Sequence, residues 1–414
     1  MADSDSYLKW AACLLGGLPG GCTAELAVIR TPITPSPAQI RAAVSGAAAD
    51  PPVLSARALR RAAERFRPDA VLVACTGPVV DILTAEVLAG LSPRPVFVSG
   101  LPGISIPATE KAWLFRSGCD LFVLHSGREV EEFTEIGRRL GGGGEVGLAR
   151  LPFLRPGPGT GIGAGARGGA RGGGGAADDP GAGTAAGPRK RVVFATQAKV
   201  PRRREERERI LLALADLAGR RPDLDVVVKL RALADERQTH NERHHYQRLW
   251  QDLGGRPGVL RFEGGPMHEH LARAAGFVTV SSTAALEAIA QQVPLLVLSD
   301  FGVSAEMINI VFEGSGLLGT LDDLAEGSFR TPDESWCAAN YFHGGDQEDW
   351  TARLVSLVGR ARSGSLAPAV SLLDGPQYAA ARRRARLRVE VPPNVLRAGY
   401  RAKRRMRRYL RALG

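Results

Sequence analysis

Two rhythms of apolar and polar positions run along the chain. Short runs of continuous apolar residues recur, as in Val71-Leu72-Val73-Ala74-Cys75, Leu121-Phe122-Val123-Leu124, Val192-Val193-Phe194-Ala195 and Leu295-Leu296-Val297-Leu298. Between them lie longer stretches in which apolar residues return every three or four positions. An apolar run without alternation suits a strand covered on both faces, and the helical spacing between runs suits crossovers, so the pattern predicts parallel α/β layers. Strands are predicted at 24–29, 69–75, 95–99 and 121–125, then at 191–195, 224–229, 259–262, 277–280 and 294–298. Helices are predicted at 7–18, 36–45, 55–66, 128–140, 201–219, 267–275, 283–292 and 304–312, and another ends at Leu91.

Residues 156–188 interrupt this rhythm with 14 Gly and four Pro in 33 positions. A phosphate-cradling loop needs its glycines at fixed offsets between a strand and a helix, and this run has neither, so it reads as a flexible linker. The predicted organisation is a Rossmann-like domain at 1–155, the linker at 156–188, a second Rossmann-like domain at 189–375 and a tail at 376–414. Two such domains would face a cleft, with ligands outside the carboxyl ends of the strands. Asp3-Ser4-Asp5-Ser6 reads as the loop after a first strand that is not there. Either the start lies upstream of Met1 or the sheet lacks an inner strand, and the upstream start is the expectation, because buried parallel sheets do not readily lose an inner strand.

Composition narrows the class. At 414 residues, 44% hydrophobic and 23% charged, the chain can bury a sizeable core without disulfides or metals. Five cysteines form no CxxC pair, which suits a reducing, cytoplasmic setting. No apolar stretch approaches the roughly 18 residues of a membrane span, and the start lacks the basic and apolar regions of a signal peptide. The net charge of +11 is localised: residues 381–414 hold thirteen Arg and Lys against Glu390 alone, so the remainder is nearly neutral. Val395, Gly399, Ala402, Met406, Leu410 and Leu413 recur there at about helical spacing among the arginines. A basic amphipathic helix of this kind suits an anionic membrane surface, with nucleic acid as the rival partner and a solubilising tail as the plain alternative. The body offers no helix–turn–helix or aromatic nucleic-acid-binding pattern, so the expectation is no nucleic acid.

The stretch Phe277–Gly302 carries the most chemistry. A strand ends in Ser281-Ser282-Thr283, where a helix begins, and helix N-terminal N–H groups with hydroxyls beside them can hold a diphosphate. Glu287 shares a helix face with Thr283, placing a carboxylate for ribose hydroxyls. An ordinary N-cap with a helix-stabilising glutamate explains the same residues. The pattern S-S-T-x-x-x-E-A followed by P-L-L-V-L-S-D resembles the donor half of GT-B glycosyltransferases, most nearly bacterial ones of unassigned substrate and more distantly capsule-polysaccharide and glycerophosphate transferases. Val193–Gln197 resembles the first donor-domain strand and loop, and Val227–Arg231 the strand where relatives often carry K-L-H-P. Arg231 stands here in place of that histidine, and Gln291-Gln292 where many relatives have Gly before V-P.

The resemblance implies that the second domain binds a nucleotide-sugar donor, with Ser281, Ser282 and Thr283 at the phosphates and Glu287 at the ribose. Thr196 and Gln197 would line the same edge, His268 would border the base, and Lys229 and Arg231 would offset diphosphate charge in a metal-independent mechanism. Cofactors are then none, the nucleotide-sugar being substrate. The His268-Glu269-His270 triplet lacks a third metal ligand by spacing, and His240, His244 and His245 with Glu236 and Glu242 read as a solvated helix. The first domain would take a glycan or lipid-linked acceptor and supply a base at a strand end: Asp5 first, His125 second, with Asp3, Thr76 and Ser99 also placed there. The expected function is sugar transfer to an acceptor hydroxyl, in cell-envelope or capsule-type glycan synthesis, by a cytoplasmic protein peripheral at the inner face of the membrane. A UDP-sugar epimerase of the same fold and a non-catalytic nucleotide-sugar-binding protein are the alternatives.

Overall fold

The computed structural model describes residues 1–44, 49–154, 190–230, 242–391 and 395–396. The whole Gly-rich linker at 156–188, Arg231, Glu236, His240 and the tail beyond Leu396 lie outside the described residues. The chain divides into two compact units, Met1–Pro152 with Ser335–Gly414, and Phe153–Glu334. Residues 335–375, expected in the second domain, therefore belong with the first.

In the first unit the strands are β1 (Val28–Ile29), β2 (Val53–Leu54), β3 (Ala70–Leu72), β4 (Val96–Gly100), β5 (Leu121–Leu124) and β6 (Glu145–Leu148). β3, β4, β5 and β6 form a parallel sheet in that order, and β1 pairs with β2 in parallel. Ala2 makes parallel bridges to both Val28 and Ala74 and so links the two pieces. These single-residue bridges stand where the sequence pattern expected an inner strand, and the Met1 amino nitrogen donates to the Leu72 carbonyl at 2.8 Å. β5 and β4 are buried along their whole length, as continuous apolar runs require. β2 and β6 escaped the sequence pattern, β2 because it is two residues long and β6 because Glu145 and Gly147 break its apolar run.

The second unit has β7 (Arg191–Ala195), β8 (Asp225–Lys229), β9 (Arg261–Glu263), β10 (Ala274–Thr279), β11 (Leu295–Leu298) and β12 (Leu318–Gly319). All are parallel, in the order β12-β11-β10-β7-β8-β9. The helix Arg204–Arg220 buries Ile210, Leu214 and Leu217 against this sheet's core, where Phe194, Val228 and Leu296 lie. The helix predicted at 304–312 does not form. The chain there is stitched by Asn309, whose side chain bonds Ser304 N–H and Gly302 O, and Ile308 sits at φ +61°, which a helix cannot hold.

Part of the predicted tail is built into the first unit. The helix Ala379–Glu390 buries Ala385 and Val389 in the same apolar cluster as Val79, Val80 and Leu83. Arg382 reaches Asp81 at 3.1 Å and Glu86 at 3.2 Å and also pairs with Asp374. Ser371 Oγ donates to Asp81 at 2.6 Å, and burial still holds the Asp81 carboxyl above its usual range. The apolar face of this helix is therefore turned into protein. Replacing Arg382 with Met would strand a buried carboxylate, so Arg382→Met should lower unfolding stability by about 3 kcal/mol in urea titrations, and adding Asp81→Asn should recover part of it.

Candidate functional site

In the second unit, Ala195 lies opposite both Lys229 and Thr279, so the chain leaves β7, β8 and β10 at one edge. Thr196, Lys229 and the Ser281–Thr283 segment are thereby brought together, as expected for ends of adjacent parallel strands. Thr196 turns its N–H and its Oγ1 onto the Lys229 carbonyl, each at 3.1 Å. Lys229 Nζ donates to Leu230 O at 2.9 Å. Ser281 is buried and its hydroxyl donates to Ile308 O, whereas Ser282 Oγ accepts from Ala284 N at 3.1 Å in the manner of a cap. Thr283 and Glu287 are half-buried. Of the three hydroxyls, Thr283 alone makes no side-chain cap bond to the helix Ala284–Ala290 that follows and is not committed to the neighbouring loop. Gln197 Oε1 is buried without a hydrogen-bond partner at this edge.

Sequence reasoning missed the group that shapes this edge. Arg207, only 2% exposed, donates to the carbonyls of Gln197, Ala198 and Pro201, and to His244 O and Glu242 Oε1 at 2.6 and 2.5 Å. Its guanidinium stacks 4.9 Å from the Tyr246 ring. Glu242 is thus buried in an ion pair instead of lying on a solvated helix, which begins only at Tyr246. The Arg-rich, charged start of the helix Arg204–Arg220 concealed one arginine that faces inward. His268 is exposed; its neighbour His270 is the buried one, with Nε2 donating to Gly264 O at 2.7 Å. Among the described residues no three His, Cys, Asp or Glu side chains are placed to hold a metal ion. The Asp-x-Asp triplets Asp3-Ser4-Asp5 and Asp223-Leu224-Asp225 are spread accordingly: Asp3 is buried and Asp5 exposed, while Asp223 pairs with Arg221 and Asp225 with Arg191.

The first unit has its own polar edge. Asp3, at 0% exposure, accepts from Thr76 Oγ1 at 2.6 Å and Thr76 N at 3.0 Å through Oδ2, and its Oδ1 has no partner. Burial raises the Asp3 carboxyl above the usual carboxylate range, and the Thr76 bonds oppose that. Buried Arg116 donates to Tyr7 Oη at 2.9 Å and to Gly100 O at 3.2 Å. Asp5, the first-ranked base from sequence, is instead exposed at the first residue of the helix Asp5–Leu15. Ser99 Oγ is committed to Val73 O.

His125 is fully buried and both ring nitrogens are occupied. Nδ1 donates to Ala149 O at 2.9 Å and Nε2 accepts from Trp10 Nε1 at 2.7 Å. It has no nitrogen left for an acceptor hydroxyl, and the strand-end histidine is a packing residue. Gly100 leaves room for that arrangement, since a Cβ there would stand 2.5 Å from the Trp10 ring. Beside it, buried Glu129 accepts from Ser105 N and Oγ, from His125 N and from Tyr341 Oη at 2.5 Å. This carboxylate ties the loop after β4 to the returning C-terminal segment.

Two units of doubly wound parallel sheet, each with polar groups gathered at the carboxyl edge, define an α/β protein of the GT-B type. Residues 1–357 match the family described as "Putative glycosyltransferase (DUF6716)", and the chain belongs to that family. Among solved structures, the Staphylococcus aureus MnaA–UDP co-structure aligns at TM-score 0.53 and 12% identity, covering 88% of this chain and 96% of that one. A Listeria monocytogenes structure described as a "putative UDP-N-acetylglucosamine 2-epimerase" aligns at 0.52 and 12%, covering 88% and 95%. Both show likeness of fold. No curated protein matches the chain in sequence.

Burial holds the His125 pKa below its ordinary value of 6.5. The folded state therefore binds fewer protons than the unfolded one, and this contribution is complete above 6.5 and lost as pH falls below it. Unfolding free energies measured from pH 8 to pH 5 should drop, with a limiting slope of about 1.4 kcal/mol per pH unit from this group. His125→Gln, which can keep a donor and an acceptor, should flatten that component.

Proposed function

We propose that this chain transfers a sugar from a nucleotide-sugar donor to an acceptor hydroxyl, without a metal cofactor. Membership of the glycosyltransferase family over residues 1–357 is the observation that carries this reading. The edge of β7, β8 and β10 supports it as the donor side, with Thr196, Gln197, Thr283 and Glu287 toward the nucleotide and Lys229 toward the diphosphate; Arg231 lies outside the described residues. Fixed cations and dipoles at a leaving diphosphate stabilise the charge that develops as the glycosidic bond to phosphate breaks. The UDP of the MnaA co-structure makes a uridine nucleotide the first donor to test. The acceptor belongs to cell-envelope or capsule-type glycan synthesis in this reading, at the cytoplasmic face of the membrane.

Asp3 takes the role that sequence assigned first to Asp5. Its unpartnered Oδ1 would receive the acceptor hydroxyl proton while the hydroxyl oxygen bonds to the sugar and the nucleoside diphosphate leaves. Thr76 fixes the other oxygen. A base must be ionised to act, and Asp3 ionises above the usual carboxylate range, so turnover should rise with pH through that raised value. Asp3→Asn should cost roughly 10²- to 10⁴-fold in turnover without lowering the melting temperature, whereas Asp5→Asn should change turnover little. Equal loss in both variants, or in neither, would remove Asp3 from the reaction.

Titration with UDP-, GDP- and CMP-sugars, read by calorimetry with Glu287→Ala as control, tests the donor side. Binding that Glu287→Ala weakens supports it, and absence of binding by all three removes it. The fold likeness to a UDP-N-acetylglucosamine 2-epimerase favours one second reading, an epimerase. That reading requires the donor sugar to be converted with no acceptor present; transfer alone requires an acceptor. The arginine-rich tail supports residence at an anionic membrane surface. A chain ending at Val391 keeps the docked helix and should bind anionic vesicles more weakly than the full chain.

A further inference from the structure

We propose that the membrane-facing surface of this protein is a composite of two helices of the first unit, Ala56–Phe66 and Ala379–Glu390, and that its partner is an anionic lipid bilayer. This deepens the membrane part of the proposed function and rests on it. Both helices pack onto one apolar cluster, through Ala56 and Leu59 in the first and Ala385 and Val389 in the second. They flank the same short segment, Leu83–Val87. Arg60 donates to the carbonyls of Val87 and Ala89 from one side, and Arg386 pairs with Glu86 from the other. A groove of about 630 Å³ runs between them, with Arg57, Arg60 and Arg386 on its walls.

The inward faces being fixed, the outward faces follow. Arg57, Arg61 and Arg65 lie four residues apart on one exposed stripe of the first helix, and Arg67 is exposed at its C-cap. Arg383, Arg384 and Arg388 are exposed on the second. None of these seven makes an ion pair among the described residues. The acids nearby are already committed, Glu64 to Arg60, Asp374 to Arg382, and Glu86 and Glu390 to Arg386. Each exposed acid on these helices has its own arginine, so the charge of these seven is left over as net positive charge. Two apolar side chains stand among the arginines, Phe66 at 54% exposure and Leu387 at 45%, and Arg65 lies over the Phe66 ring. Arginines interleaved with a few exposed apolar side chains match an anionic headgroup layer with an acyl boundary beneath it, whereas a single-stranded nucleic acid would stack successive bases on several aromatics, and these helices expose one, Phe66. The docked helix contributes through its basic side, because its apolar side is spent on the protein core.

Vesicle co-sedimentation of the full chain tests this. Binding is expected to equimolar phosphatidylglycerol–phosphatidylcholine vesicles, to weaken with added salt, and to be absent on pure phosphatidylcholine. Arg57→Ala/Arg61→Ala/Arg65→Ala should reduce partitioning on the order of 10²-fold, and Arg383→Ala/Arg384→Ala/Arg388→Ala should do the same. The corresponding Arg→Lys triples should restore it, and melting temperatures should stay unchanged. If the first Ala triple binds as wild type while a chain ending at Val391 loses all binding, the composite surface is overturned and the tail reading stands. If wild type binds pure phosphatidylcholine equally well, or no vesicle at all, both are overturned. If the Ala triples impair binding to single-stranded DNA and leave vesicle binding intact, the face is a nucleic-acid surface and the proposal is overturned.

Discussion

Parallel pairing in register is the constraint on which the rest depends. When Ala195 is opposite Lys229 on one side and Thr279 on the other, three chain exits must fall at the same edge. Residues separated by 87 positions at most, from Thr196 to Thr283, are gathered at one edge because the parallel register ends β7, β8 and β10 level with one another. The same rule operates in the first unit, where the bridge at Ala2 delivers Asp3 beside Thr76. Chemistry at both edges follows from backbone pairing, and the side chains then divide into those that build the edge and those left for a ligand.

That division is drawn by hydrogen bonds. Ser281, Ser282, Ser99 and His125 all sit where ligands meet such sheets, and each is already engaged with the protein. Asp3 and Gln197 keep a buried oxygen with no partner. A buried polar atom left unsatisfied costs on the order of 1–3 kcal/mol, so a fold retains one where something else offsets the cost. Arg207 and Glu129 belong to the building class: each is buried, and each gathers loops that would otherwise be free to move at their edge. Their importance lies in shape, since neither presents a free group to a ligand.

The basic C-terminal stretch divides in the same way. Its amphipathic period, Val395 to Leu413, follows Pro392-Pro393, and the stretch before that break, Ala379–Glu390, spends its apolar side on the first unit's core and Arg382 on Asp81. The charge that remains outside joins that of the helix Ala56–Phe66, which sequence alone gave no reason to associate with it.

By itself the sequence determined the class: continuous apolar runs spaced by helical stretches can only be covered on both faces, which predicts two doubly wound units and places the S-S-T turn and Lys229 at strand ends. Strand and helix identities followed wherever the apolar period was strong, as at 121–124 and 191–195. The period failed at 304–312, where Asn309 and the positive φ of Ile308 hold a loop of helix-like composition. Only tertiary structure decided which polar residues are free. Composition cannot tell Arg207, buried under five acceptors, from exposed Arg203 beside it in the same charged run, nor Asp3 from Asp5 two positions on. Return of residues 335–391 to the first unit was likewise beyond local pattern, because it rests on Tyr341 meeting Glu129 and Arg382 meeting Asp81, contacts more than 200 residues apart. Period is a property of neighbours along the chain, and desolvation is a property of neighbours in space.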